Sequence, residues 1–197
     1  MLNMIRALVL TLSLIATGSF AARPAALPKV AIVTTEGTIT AVLEARKAPI
    51  TAANFLRYVD AHKFDGTSFY RAARSKSYPG IGLVQGGIDH VISNSFLPIK
   101  HEPTTKTGLH HVNGTLSMAR NEVGSAMGDF FITLGAAPDL DARGSYAGYA
   151  AFGHVLTGMD VAKRILAKPT YPGGWDIDTM GQTIRQPVKI IAVKRIN

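Results

Sequence analysis

Two short runs decide how this chain is read: Phe69-Tyr70-Arg71 and, after a loop, Leu83-Val84-Gln85-Gly86-Gly87. The first is a short aromatic strand carrying one Arg. The second is an apolar strand ending in Gln and a glycine pair. A long Arg side chain beside apolar residues, with a Gln in reach, suits an uncharged polar backbone group held against an apolar wall. The same eight residues also fit a solvated Arg, an ordinary hydrogen-bonding Gln and a Gly-Gly turn. The rest of the chain has to choose between these.

Outward from that stretch the chain reads as short strands. Residues 30–34 and 38–43, about the Glu36-Gly37 turn, predict a hairpin. Pro49 opens a helix in which Ala52, Phe55, Leu56 and Val59 recur at helical spacing to about Ala61. Strands over 67–72 and 83–85 flank a loop at 73–82 that holds Pro79-Gly80, and 88–108 is long, polar and irregular, with Pro98 and Pro103. Further strands are expected over 114–119, 130–134 and 149–155. After Gly158 a second helix carries Val161, Ile165 and Leu166 on one side; the loop 171–180 holds the only Trp, and 188–196 is the last strand. Many short strands, two helices and no strand–helix–strand rhythm predict an all-β fold. Its antiparallel sheet closes into a barrel with helices covering the ends.

Composition narrows the class. Met1 to Arg6 is a short basic start, residues 7–15 are apolar apart from Thr11 and Ser13, and Ser19-Phe20-Ala21 puts small residues at the positions of a cleavage site. Residues 1–21 therefore have the pattern of a secretory signal peptide, too short for a membrane span. A Pro/Ala linker at 22–28 and one domain at 29–197 follow, with a periplasmic location expected. The chain has no Cys, which excludes disulfides, thiol nucleophiles and thiolate metal sites. The net charge is +8, or +7 once Arg6 leaves with the leader. The basic residues are dispersed, so no nucleic-acid partner is expected. His90, His101, His110 and His111 lie on polar loop without tight ligand spacing, so no metal is assigned. Ser117 and Ser125 stand in no nucleophile elbow.

What remains is apolar strand, one Arg and one Gln, with no acid–base pair. A reaction that breaks no covalent bond needs neither nucleophile nor proton shuttle. Rotation about a peptide bond is such a reaction: its barrier of about 18–20 kcal/mol comes from amide resonance, and only X-Pro bonds populate both isomers appreciably. A catalyst would bury the Pro ring, hold the preceding carbonyl, and offer a donor to the prolyl nitrogen as it pyramidalises. Favouring the twisted state over both planar ones is differential transition-state binding.

Between Val30 and Ile196 the chain resembles the cyclophilins, peptidyl-prolyl cis-trans isomerases, and in particular their exported bacterial kind. The pieces that carry this are Phe69-Tyr70-Arg71, Val84-Gln85-Gly86-Gly87, Gly114-Thr115-Leu116-Ser117-Met118-Ala119-Arg120, Phe130-Phe131-Ile132, Tyr149-Ala150-Ala151-Phe152-Gly153-His154-Val155 and Gly158-Met159-Asp160. The resemblance implies an eight-stranded antiparallel barrel capped by two α-helices, a cofactor-independent isomerase that assists protein folding, and a monomer that takes proline-containing polypeptide segments. It implies that Arg71 and Gln85 are catalytic, and that Leu83, Met118, Ala119, Arg120, Phe131, Leu140 and Tyr149 bind substrate. Among these, Leu83 stands where the family has Met and Tyr149 where it has a pocket His.

The chain also departs from the family pattern. Arg71 and Gln85 are fourteen positions apart, further than the family's Arg and Gln, so the loop at 73–82 is enlarged. The pocket Phe expected near it falls on Ile81 or Gly82. Asp129 replaces a Gln, and could form a salt bridge with Arg71 that holds the guanidinium, or one that competes with substrate. Asp139 replaces an aromatic rim residue, which implies weak sensitivity to cyclosporin. The missing Phe and Asp129 keep an alternative open, a proline-segment binding or chaperone module with little catalysis.

Overall fold

The structure, a computed structural model, describes residues 26–197 except Pro79 and His90. The expected leader and residues 22–25 of the linker lie outside the described residues. Among the described residues there are eight strands: β1 (Lys29–Thr34), β2 (Gly37–Leu43), β3 (Ser68–Arg74), β4 (Gly82–Gly87), β5 (Thr115–Met118), β6 (Phe130–Leu134), β7 (Ala150–Thr157) and β8 (Thr183–Ile196). They close into a barrel in the order β1-β2-β7-β5-β6-β4-β3-β8 with every neighbouring pair antiparallel. Closure gives each of these strands a neighbour on both sides.

The two expected caps are α1 (Pro49–Asp60) and α3 (Met159–Leu166). Pro49 occupies the first position of α1, where a missing N–H costs nothing. The Phe55 ring of α1 meets Phe64, Phe130 and Phe152 at 5.0, 5.2 and 5.2 Å, an aromatic plug at one end of the barrel. The α3 helix buries Val161, Ala162, Ile165 and Leu166 at the other end. There the β1–β2 turn is tied down by Lys168 Nζ on Glu36 Oε1, 2.5 Å.

Three features differ from the sequence reading. Residues 88–108 contain an unforeseen single-turn helix, α2 (Thr104–Thr107), that ends at Gly108 with φ 64°. This stretch is also fastened to α1, because Glu102 accepts the amides of Ile50 and Thr51 at 3.2 and 2.7 Å. The carboxylate thus serves the positive end of a helix whose own N-cap, Ala48, makes no side-chain cap hydrogen bond. The loop at 73–82 is smaller than expected, since Ala73 pairs with Leu83 and Arg74 with Gly82. Extra residues have lengthened the hairpin rather than hung from it. Finally, β8 begins at Thr183, not 188. Pro187 hid its first part, and β3 meets β8 only at residues 183 and 188–189, around an excursion that contains the proline.

Alternation sorts the side chains. In β6, Phe130, Ile132 and Leu134 enter the core; in β4, Val84 does. Phe131, Leu83 and Gln85 take the opposite face. The Gly86-Gly87 pair is no turn but the end of β4. A Cβ on Gly86 would stand 2.7 Å from the Ser68 carbonyl oxygen, and one on Gly87 (φ +133°) 2.5 Å from that of Gly128. Both approaches need glycine.

Candidate active site

The outward face of the sheet carries a row of side chains across four strands. Arg71 of β3 stands opposite Gln85 of β4, Gln85 opposite Phe131 of β6, and Phe131 opposite Ser117 of β5. Over this row lies a cavity of about 730 Å³, and Arg71, Gln85, Leu83, Ala119, Arg120, Phe131, Leu140 and Tyr149 all line it. Met118 does not. It is 1% exposed and packs inside the barrel, because the strand alternates and its neighbour Ser117 takes the other face.

One end of the cavity is apolar. Phe131 meets the Tyr149 ring edge-on at 5.5 Å and 85°, and Leu83, Leu140 and Met127 complete the lining. Ile81, one of the two places where the missing Phe was sought, rests against Gly135. Phe131, Tyr149 and Trp175 supply the aromatic surface of the cavity. Arg120 packs its guanidinium carbon 4.9 Å from the Tyr149 ring centre and donates to the Gly148 carbonyl, Nη2 at 2.5 Å. Asp139, exposed beside Leu140, pairs with Arg143 at 3.4 Å.

The other end is polar and built around Arg71. Its Nε donates to Gln182 Oε1 and its Nη1 to Gln85 Oε1, both at 2.8 Å. Two of five guanidinium N–H groups are thereby fixed, and the fork is held in one plane with the rest available to a substrate. Burial lowers the Arg71 pKa, with Tyr149, Tyr70, Asp176 and Asp178 opposing it. An Arg starts so high that it remains a cation at any physiological pH. Asp129 makes neither of the pairings with Arg71 that the sequence left open. Its Oδ1 accepts the Asp89 amide at 2.9 Å, and its carboxylate takes a hydrogen bond from Tyr70. Burial and then the Asp129 charge push the Tyr70 hydroxyl well above its ordinary range, so it stays protonated.

Behind Phe131 lies a second polar chain. Asp141 Oδ1 contacts His111 Nδ1 at 2.5 Å, and His111 Nε2 contacts Ser117 Oγ at 2.9 Å. The order is that of a hydrolytic triad, yet Ser117 is 0% and His111 1% exposed. The imidazole instead stacks on Phe131, 5.9 Å between centres at 16°. His110 bonds Asp141 Oδ2 at 3.0 Å and His101 the Ala147 carbonyl at 2.9 Å. Among the described residues no group of three metal-ligating side chains gathers.

Sequence reasoning missed Gln182, Tyr70 and the cavity wall formed by Trp175, Asp176, Asp178 and Thr179. Gln182 lies 111 positions from Arg71, beyond any local pattern. A solitary Trp in a polar loop was the one visible hint.

Comparison with known proteins agrees with this geometry. The pattern of the family described as cyclophilin type peptidyl-prolyl cis-trans isomerase/CLD matches residues 29–195. A peptidyl-prolyl cis-trans isomerase of Acinetobacter baylyi is 38% identical over 162 residues, 80% of each chain. Peptidyl-prolyl cis-trans isomerase A of Dickeya dadantii is 36% identical over 139 residues, 69% of this chain and 70% of that one. In fold, a cyclophilin-type isomerase of Cryptosporidium parvum superposes with a TM-score of 0.65 at 20% identity, covering 87% of this chain and 99% of its own. The chain belongs to the cyclophilin-type peptidyl-prolyl cis-trans isomerases. It is a cofactor-independent enzyme that turns the X-Pro peptide bond between its isomers.

Proposed function

We propose that this isomerase acts on accessible X-Pro segments of exported polypeptides and assists their folding, with Arg71 and Gln85 as its catalytic pair. The observation that carries this reading is the row Arg71–Gln85–Phe131, which sets a charged fork beside an aromatic floor over one cavity. Phe131, Tyr149, Leu83 and Leu140 take the proline ring. The strand edge at Ala119 and Arg120 pairs with the substrate backbone. Gln85 keeps one amide N–H for a substrate carbonyl, since the other is held by Tyr70.

Catalysis then follows from the developing lone pair. When the peptide bond twists, resonance is lost and the prolyl nitrogen becomes a hydrogen-bond acceptor. Arg71, already oriented by Gln85 and Gln182, donates to it without reorganising. A planar amide nitrogen has no such lone pair, so the bond exists only in the transition state. The binding-module alternative loses one of its supports, because Asp129 leaves Arg71 free for this task.

The test is the cis-to-trans rate on a proline tetrapeptide. Arg71→Ala is expected to lower kcat/KM at least about tenfold, the loss of one charge-assisted hydrogen bond, with the fold intact by circular dichroism. Equal rates would remove Arg71 from its role, and binding without acceleration in the wild type would favour the binding module. Export rests on the 1–21 pattern. N-terminal sequencing of protein from the periplasmic fraction is expected to start at Ala22, and an intact Met1 in the cytoplasm would overturn it.

A further inference from the structure

A bulge in β3 brings two consecutive residues onto one glutamine. The ladder pairs Phe69 with Gly86 and Arg71 with Gln85, so its register shifts by one residue at Tyr70. In a regular strand Tyr70 and Arg71 would point to opposite faces. A bulge cancels the alternation and re-aims a side chain. Here both reach Gln85: Arg71 Nη1 on Oε1 and Tyr70 Oη on Nε2, each at 2.8 Å.

The donor and acceptor chemistry of this cluster runs in one direction only. Arg has no acceptor, so Gln85 must turn its oxygen toward Arg71. Its Nε2 then faces Tyr70, whose oxygen accepts, so the Tyr70 proton must go elsewhere. It goes to the Asp129 carboxylate, which only accepts. Tyr70 is 3% exposed, Gln85 4% and Asp129 4%, so no bulk water competes for these bonds. Reversing the Gln85 amide would set Nε2 against Nη1 and Oε1 against a tyrosine oxygen whose proton is committed. Tyr70 is also fixed from outside by the Trp175 ring, edge-on at 5.6 Å.

We infer that Tyr70 is a positioning residue for the isomerase reaction: seated on Asp129, it locks the Gln85 amide in the one orientation that presents its oxygen to Arg71 and one N–H to the substrate. This rests on the assignment of Arg71 and Gln85 as the catalytic pair. Without the Tyr70 hydroxyl, Gln85 Nε2 loses its buried acceptor, the amide is anchored at its oxygen alone, and Arg71 loses a fixed partner.

The experiment is a double-mutant cycle in kcat/KM on a proline tetrapeptide, with Tyr70→Phe, Gln85→Ala and the pair. Tyr70→Phe keeps the ring, its burial and its contact with Trp175. It is expected to lower kcat about tenfold, as one buried hydrogen bond is lost, with KM within about twofold. In the Gln85→Ala background Tyr70→Phe is expected to add nothing. A purely structural tyrosine would give additive losses. Additive losses, or a wild-type rate in a folded Tyr70→Phe while Gln85→Ala is slow, overturn this inference alone. A wild-type rate in Gln85→Ala overturns the catalytic pair as well. Should Tyr70→Phe not fold, the wild-type enzyme still decides by NMR. One Gln85 Nε2 proton is expected to be protected from exchange with water, and equal, rapid exchange of both would overturn the lock.

Discussion

Two hydrogen-bonded chains flank Phe131, and they use similar parts to different ends. On the groove side, Arg71, Gln85, Tyr70 and Asp129 run from an open cation to a buried carboxylate. Behind the ring, Asp141, His111 and Ser117 form the kind of constellation usually read as catalytic. Exposure separates them. Arg71 is half-buried and borders the cavity, whereas His111 and Ser117 are sealed under Phe131 and meet no substrate. The inner chain satisfies buried polar groups and supports the floor of the pocket. The outer one leaves donors unspent at its open end. A triad is identified by what its nucleophile can reach, and this one reaches nothing.

Phe131 is where the two chains meet, so its loss tests the comparison most severely. The ring is 3% exposed, stacked on His111 and edge-on to Tyr149, and its backbone pairs with both Gln85 and Ser117. Phe131→Ala is expected to cost about 3–5 kcal/mol of stability, as for other buried aromatics cut to Ala. It should also lower kcat/KM on the tetrapeptide by roughly fiftyfold, the apolar contact withdrawn from the proline ring. Denaturant unfolding and the isomerase assay on one preparation check both. A large fall in activity with stability unchanged would mean that the inner chain does not lean on this ring.

How much of this was legible in the sequence follows from the range of each interaction. Barrel strands are short and patterned every second residue, so residues 130–134 and 149–155 announced themselves, and the all-β barrel followed. Arg71 and Gln85 stood out as one Arg and one Gln on apolar strand, and the resemblance gave them their roles and added Phe131. Their own composition fitted a plain strand equally well. Met118 was misassigned because it sits between cavity residues in sequence but points the other way in space. Tyr70 could not be found at all. Its role depends on a one-residue bulge, and a bulge is decided by how β3, β4 and β8 fit together rather than by local composition. Gln182 has the same difficulty over a longer span, since β8 reaches Arg71 only through the excursion around Pro187.

The inner chain makes the gentler prediction, one of pH. Burial lowers the His111 pKa below its ordinary 6.5; Asp141 pulls it back up and His110 pushes it further down. The neutral ring then donates through Nδ1 to Asp141 and accepts the Ser117 hydroxyl at Nε2. An unfolded chain takes up the His111 proton as pH falls through 6.5, while the folded one resists until its lower pKa. Between the two the unfolded state holds more protons, so stability falls as pH falls. It is fully present above 6.5. Asp141 acts lower still: burial alone would raise its pKa, but hydrogen bonds from His111 and His110 outweigh this and lower it from 3.8. Its contribution is lost only in acid. His111→Gln is therefore expected to melt earlier at pH 7.5, by an amount set by about 1–3 kcal/mol for a disrupted buried hydrogen-bond pair. Its melting temperature should change less than that of the wild type between pH 6.5 and 4.5. Turnover at pH 7.5 should drop by no more than about threefold, the loss of one ring contact on Phe131. Thermal melts at several pH values decide this. A wild-type slope in the variant would show that His111 is not the group being titrated, and a collapse of turnover would move the inner chain into the reaction itself.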